Sequence, residues 1–259
     1  MRSMKLLLFD VDGTLAKSTL QLSKEMKDKL VEIHEGGEYE MSIVGGGTYE
    51  HIIYQIGKEN EKLFTYIFSE NGLVTYKNGE LFHKNDIRKQ MGEELITKVI
   101  NFTLRYIANL DIPCKRGSFV RFRTGMMYVT SVGGDCSKQE RADFAEYDLI
   151  HNVRSKMIKA YMDEFEKDGV VALMGGQIGV GVHPNGWDKS YILKMANIEK
   201  YEDIHFFGDR CTPTGNDYPL YSHKDINGHF VKSPECTLKI LNELTLKHDQ
   251  ESIQLQNKL

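Results

Sequence analysis

The chain opens on an unbroken apolar run, Leu6-Leu7-Leu8-Phe9, that ends abruptly in Asp10-Val11-Asp12-Gly13-Thr14. Apolar residues without polar alternation predict a buried strand. After it, Ser23 precedes Met26, Leu30 and Ile33 at helical spacing, and Gly36-Gly37 closes that helix. Residues 39–44 then read as a strand running into Gly45-Gly46-Gly47-Thr48. Residues 49–56 read as a short helix ended by Gly57, and Tyr66-Ile67-Phe68 as a third strand breaking at Glu70-Asn71-Gly72. Strands alternating with helices in this way predict a parallel sheet with right-handed crossovers.

The pattern changes at Leu73. Two short apolar stretches flank Asn78-Gly79, whose residues accept the positive φ of a hairpin turn. A long helix follows, with Leu95, Val99, Phe102 and Tyr106 on one stripe. Residues 118–123 and 126–132 read as antiparallel strands around Thr124-Gly125. Ser137-Lys138-Gln139-Glu140 is a capping box that opens a second long helix, expected to reach about Phe165. A last hairpin is expected over 170–174 and 177–183, around Gly175-Gly176. From Trp187 the first style returns: a helix carrying Lys189 and Leu193, a strand at His205-Phe206-Phe207, then Gly208-Asp209 and Gly215-Asn216-Asp217. His229-Phe230-Val231 and a helix over 236–247 finish the fold, with a polar, frayed tail expected after His248. The organisation predicted is an α/β core of residues 1–84 and 186–259, interrupted by an α+β insert of residues 85–185 with an antiparallel sheet. An insert poised over strand ends would act as a lid.

Composition narrows the partners. Of 259 residues 41% are hydrophobic and 27% charged, and the net charge is −4, so there is no basic excess for nucleic acid. The first strand is too short to span a bilayer and residues 1–5 lack the apolar stretch of a signal peptide, so a cytoplasmic protein is expected. Cys114, Cys136, Cys211 and Cys236 form no C-x-x-C pair and fit reduced thiols.

The chemistry concentrates in the acids. Two carboxylates at the end of a buried strand, Asp10 and Asp12, are costly unless a cation neutralises them; the bland alternative is a polar turn. One can attack phosphorus and the other pass a proton to or from the leaving oxygen. Asp209 follows a second apolar strand and adds a third acid, a set of hard oxygens suited to Mg²⁺. Lys189 could neutralise the transferring phosphoryl group or be an exposed helix lysine, and Asn216 and Asp217 could hold the metal's outer shell or only stabilise a turn. In the insert, Arg121 and Arg123 alternate onto one strand face, with Arg116 upstream and Arg141 at a helix start, an arrangement suited to an anion.

Taken with Glu70-Asn71-Gly72-Leu73-Val74, Arg105-Tyr106-Ile107-Ala108, Leu110-Asp111-Ile112-Pro113, Phe122-Arg123-Thr124-Gly125-Met126, Gly175-Gly176-Gln177-Ile178, Gly186-Trp187-Asp188-Lys189 and Phe206-Phe207-Gly208-Asp209, the chain resembles the eukaryotic phosphomannomutases of the haloacid-dehalogenase superfamily. The resemblance implies a Rossmann-like core with a cap, and a cytosolic, Mg²⁺-dependent homodimer joined through its caps. The implied reaction interconverts mannose 6-phosphate and mannose 1-phosphate for GDP-mannose synthesis, primed by a hexose 1,6-bisphosphate. Asp10 would be nucleophile and metal ligand, and Asp12 acid/base and a contributor to the metal shell. Asp209 would complete the shell and Lys189 steady the phosphoaspartate. Arg116, Arg123 and Arg141 would grip the sugar phosphate that is not reacting. Against the family pattern, arginines are replaced by Thr19 and Gly134, and a substrate-contacting serine and aspartate by Gly179 and Gly181. The Gly-Gly-Ser-Asp signature becomes Gly46-Gly47-Thr48 without its acid, and His223 and Ile226 stand where an auxiliary metal loop usually has an aspartate and a threonine. Arg121 stands where an acid is usual and would restore cationic charge. A sugar-phosphate phosphatase and a weakly catalytic binding paralogue are the alternatives.

Overall fold

The computed structural model describes residues 4–195 and 198–256. A seven-stranded sheet has the order β11-β10-β1-β2-β3-β4-β5. Its strands are β1 (Met4–Phe9), β2 (Tyr39–Val44), β3 (Tyr66–Ser69), β4 (Val74–Lys77), β5 (Glu80–Lys84), β10 (Tyr201–Gly208) and β11 (Asn227–Phe230). From β11 to β3 every neighbouring pair is parallel, and the β3–β4 and β4–β5 pairs are antiparallel. The apolar run of β1 is explained by its central place. Leu6 and Leu8 pack on one face with Phe68 and Phe206, and Leu7 and Phe9 on the other with Met41, Ile43 and Phe207. The helices α1 (Lys24–Gly36), α2 (Tyr49–Ile56) and α7 (Pro234–Gln256) supply cover for the second of these faces. Among the described residues no helix is long and apolar enough to cross a membrane.

A separate four-stranded antiparallel sheet has the order β6-β7-β9-β8, with β6 (Val120–Phe122), β7 (Met127–Thr130), β8 (Val170–Gly175) and β9 (Gly179–Pro184). It packs against α3 (Ile87–Ala108) and α5 (Val153–Phe165) through Val99, Ile107, Met157 and Tyr161. The remaining helices are α4 (Lys138–His151) and the short α6 (Tyr218–Tyr221).

Four expectations need correction. The helix opened by the Ser137–Glu140 capping box is broken at Asn152, which takes φ 53°, ψ 40° between α4 and α5. The break is locked by a buried ion pair: the Asp148 carboxylate accepts from the Arg154 backbone N–H (2.8 Å) and from Nε (2.6 Å). The inner face of α3 is Ile96, Val99, Thr103 and Ile107, with Leu95, Phe102 and Tyr106 on its half-buried flank. Lys189 sits on a 3₁₀ turn, Lys189–Lys194, rather than an α-helix. Finally, α7 continues to Gln256, past the expected fraying point, and residues 257–259 lie outside the described residues.

Candidate active site

β1 and β10 are paired along their length, and the pairing reaches one residue further, where the Asp10 N–H donates to the Phe207 carbonyl (2.9 Å). Asp10 is thereby fixed at the carboxyl end of the central strand, the crevice side of an open α/β sheet. Past it the chain curls, with Gly13 N–H donating to Ala16 O (2.7 Å) and Leu15 N–H to Val11 O (3.0 Å). Gly13 has φ +85°, and a Cβ there would lie 2.7 Å from Asp209 Oδ2. A side chain at 13 would push Asp209 off the loop. β10 delivers Asp209 next to Asp10, and the loop after it folds back to bring Asp217, whose Oδ2 accepts from the Arg210 N–H (2.9 Å). Fully buried Lys189, just past its N-cap Asp188, donates from Nζ to Asp10 Oδ1 and to Asp217 Oδ1 (2.5 Å).

Carboxylate oxygens of Asp10, Asp209 and Asp217 all lie within 4.8 Å of one another. Burial pushes the Asp10 carboxyl well above the ordinary range, with Lys189 opposing and Asp217 and Asp209 adding to the rise. Burial likewise lifts Asp209 to about 6, with Arg210 opposing. The same desolvation is overcome at Lys189, which Asp10 and Asp217 hold firmly protonated. Three acids around one ammonium leave a surplus of negative charge built from hard oxygens, the donor set that fits Mg²⁺. A carboxyl raised from 3.8 to about 6 contributes stability at low pH that is lost as pH rises through about 6. Mg²⁺ is therefore expected to raise the melting temperature more at about pH 7.5 than at about pH 5, where bound protons compete with it. Equal shifts at both, in a thermal melt with and without the ion, would place the ion elsewhere.

Of the expected metal ligands, Asp10 and Asp209 are brought together, but the third carboxylate of the cluster is that of Asp217. The Asp12 carboxylate points away because the strand's alternation ends in the turn. Its Oδ1 accepts from the Thr19 N–H (2.9 Å) and from Gln55 Nε2 (2.9 Å). Thr19 takes φ 63°, rare for a β-branched residue, which aims its N–H at this acid.

Asp12 lines a cleft of about 430 Å³ between the two sheets, shared with Arg121, Arg123, Arg141, Asn216 and His183. Arg123 donates to the Gly46 carbonyl of the opposite layer, and burial lowers its pKa. Arg116 is not among the residues lining the cleft; its guanidinium is engaged with Glu140. Arg121, by contrast, lies over Gly134: a Cβ at 134 would come 2.7 Å from Nη2, which donates to the Gly134 carbonyl (3.2 Å). A second cavity of about 480 Å³ shares Thr48, Phe122 and Arg123 but none of the clustered acids. Buried Glu70 joins the layers, accepting from the Gly125 N–H (2.6 Å). The Glu70-Asn71-Gly72 break in the pattern marks its place but not this role.

A model of the eukaryotic phosphomannomutases matches residues 26–247. The chain belongs to the eukaryotic phosphomannomutase family. Phosphomannomutase 2 of Dictyostelium discoideum is 44% identical over 241 residues, 93% of this chain and 96% of that relative. The phosphomannomutase of Dendrobium officinale is 43% identical over 90% of each chain. As a phosphomannomutase by family it is an isomerase. Solved structures agree on the haloacid-dehalogenase fold. A haloacid dehalogenase-like hydrolase of Bacteroides thetaiotaomicron superposes with TM-score 0.55 at 16% identity, over 93% of this chain and 99% of that one. The C-terminal domain of a C. albicans trehalose-6-phosphate phosphatase does so with TM-score 0.62 at 15% identity, over 93% and 92%.

Proposed function

We propose that this family member interconverts mannose 6-phosphate and mannose 1-phosphate through a phosphoryl group carried on Asp10, primed by a hexose 1,6-bisphosphate. The observation that carries the reading is a buried carboxylate at the end of the central strand, gripped by a buried lysine inside an acidic cluster. Asp10 attacks phosphorus and the sugar oxygen leaves, taking a proton from Asp12. Both hydrogen bonds to the Asp12 carboxylate converge on Oδ1, so Oδ2 is the oxygen available for proton transfer among the described residues. Lys189 offsets charge at Asp10 as it becomes an acyl phosphate. A Mg²⁺ held by Asp10, Asp209 and Asp217 would screen the phosphate dianion from the attacking carboxylate. The bisphosphate formed must turn end for end, and the arginines at the cleft hold the phosphate that is not reacting.

A mutase also needs the insert to close over the intermediate, and Arg123 and Glu70 supply contacts between the layers. Large apolar side chains exposed on α3 and α4, namely Leu104, Leu149 and Ile150, favour a homodimer joined through the insert. The setting we infer is cytoplasmic GDP-mannose supply. The test is a coupled assay of mannose 1-phosphate isomerisation with Mg²⁺ and a bisphosphate activator, run beside phosphate release. Isomerisation faster than release supports the mutase; the reverse ratio makes the protein a phosphatase.

Arg121→Ala is expected to raise KM for mannose 1-phosphate by about tenfold, the loss of one charge-assisted hydrogen bond of about 1.5 kcal/mol. Unchanged KM and kcat would show that the guanidinium over Gly134 does not serve the substrate.

A further inference from the structure

The cleft face of the four-stranded sheet is built on one cross-strand row. Arg121 pairs with Tyr128, Tyr128 with Gly181, and Gly181 with Leu173, and directly paired residues share a face. All four line the cleft. Tyr128 does not stand upright in this row. Its ring lies down across β9 and β8, over backbone that only glycine can offer. A Cβ at Gly179 would overlap the Tyr128 Cζ and Oη atoms, and one at Gly176 would come 2.8 Å from Oη. The hydroxyl donates to the Gly175 carbonyl (3.0 Å), and the Arg123 guanidinium sits 4.8 Å from the ring centroid on its other side. The ring is thus clamped between a glycine floor and a cleft arginine.

We propose that Tyr128 is the specificity-determining residue of the sugar pocket, occupying space that a side chain at 179 would otherwise fill. The proposal rests on the mutase reading above. Positions 179 and 181 offer no side-chain group to hydrogen-bond a sugar hydroxyl, and an aromatic surface takes their place. Surfaces built to hydrogen-bond a hydroxyl reject analogues that lack or misplace it, whereas apolar surfaces discriminate weakly. The substrate class that fits is hexose phosphates held by their phosphates and ring body, with the two C2 epimers, mannose and glucose phosphate, accepted comparably. A second consequence is coupling. No side chain can be added at 179 while Tyr128 stays where it is, and Arg123 loses its platform if the ring goes.

The test compares the wild type with Tyr128→Phe, Tyr128→Ala, Gly179→Ser and the Tyr128→Ala/Gly179→Ser double variant, on mannose 1-phosphate and glucose 1-phosphate. The wild type should show kcat/KM values for the two sugars within about tenfold of each other. Tyr128→Ala should raise KM about tenfold with a smaller change in kcat, and Tyr128→Phe should stay within about threefold of wild type, since the ring rather than the hydroxyl is used. Gly179→Ser should bind poorly, and the double variant should bind better than Gly179→Ser alone. An epimer preference above about 100-fold would overturn the proposal. So would an unchanged KM in Tyr128→Ala, or a double variant no better than Gly179→Ser. Calorimetric titration of both sugar phosphates separates this from the parent reading. If the wild type binds both comparably but interconverts neither, the mutase reading fails and the Tyr128 assignment stands. Turnover with strict epimer choice keeps the mutase and overturns the Tyr128 assignment, and absence of binding removes that assignment outright.

Discussion

Asp10→Asn is expected to lower mutase turnover by at least about 10⁴-fold, as loss of a covalent nucleophile does. The fold should survive. The Asp10 carboxylate is buried, its pKa is raised by that burial, and two further acids crowd it, so its charge costs stability where it stands. Lys189 keeps Asp217 as a partner at 2.5 Å after the change. A coupled assay with saturating bisphosphate, paired with a thermal melt, checks both halves. Turnover within about tenfold of wild type would move the phosphoryl acceptor to another residue.

Lys189→Met tests the opposite side of the same balance. Removing one member of a buried charge cluster costs about 3–5 kcal/mol, because the partners stay buried and uncompensated. Here the partners are acids whose pKa values are already raised, and without the ammonium they rise further. A raised acid contributes stability below its unfolded pKa and loses it as pH rises through its folded one, about 6 for Asp209 with Lys189 in place. The variant should therefore be weakest near neutral pH, regain stability towards about pH 5, and respond more strongly than wild type to Mg²⁺ near neutrality. Urea melts at two pH values with and without the ion read this out. Wild-type stability in metal-free buffer at neutral pH would mean that Lys189 neutralises nothing.

Features set by neighbours along the chain are legible in the sequence. The double-sided burial of β1 follows from Leu6-Leu7-Leu8-Phe9, and the β4–β5 turn has Asn78 at φ 50° and Gly79 at φ 81°, the left-handed pair that Asn-Gly accepts. The Ser137 capping box forms with both its hydrogen bonds. Features set by distant contacts are not legible in this way. The break at Asn152 needs the Asp148–Arg154 pair, which a helical pattern hides because both residues also suit an unbroken helix. Asp12 and Asp217 differ in whether they join the acidic cluster for a topological reason: one lies in a turn that curls away, the other in a loop that returns to Lys189. Arg116 and Arg123 look alike as strand-flanking cations, and only packing shows one engaged with Glu140 and the other reaching across the cleft to Gly46. Tyr128 gives no signal at all, since its meaning lies in Gly179 on the next strand of the sheet.

The position of β1 has a consequence for synthesis on the ribosome. It sits between β2, which follows within 30 residues of its end (Phe9 to Tyr39), and β10, which begins only at Tyr201. At about 5–20 residues per second, that leaves one open edge of the most apolar strand waiting for roughly 10–40 s. Such late, non-local closure makes folding slow and the half-built sheet prone to association with other nascent chains. Codon changes or truncations that delay or delete the last sixty residues should therefore send the polypeptide to aggregates rather than to a soluble fragment.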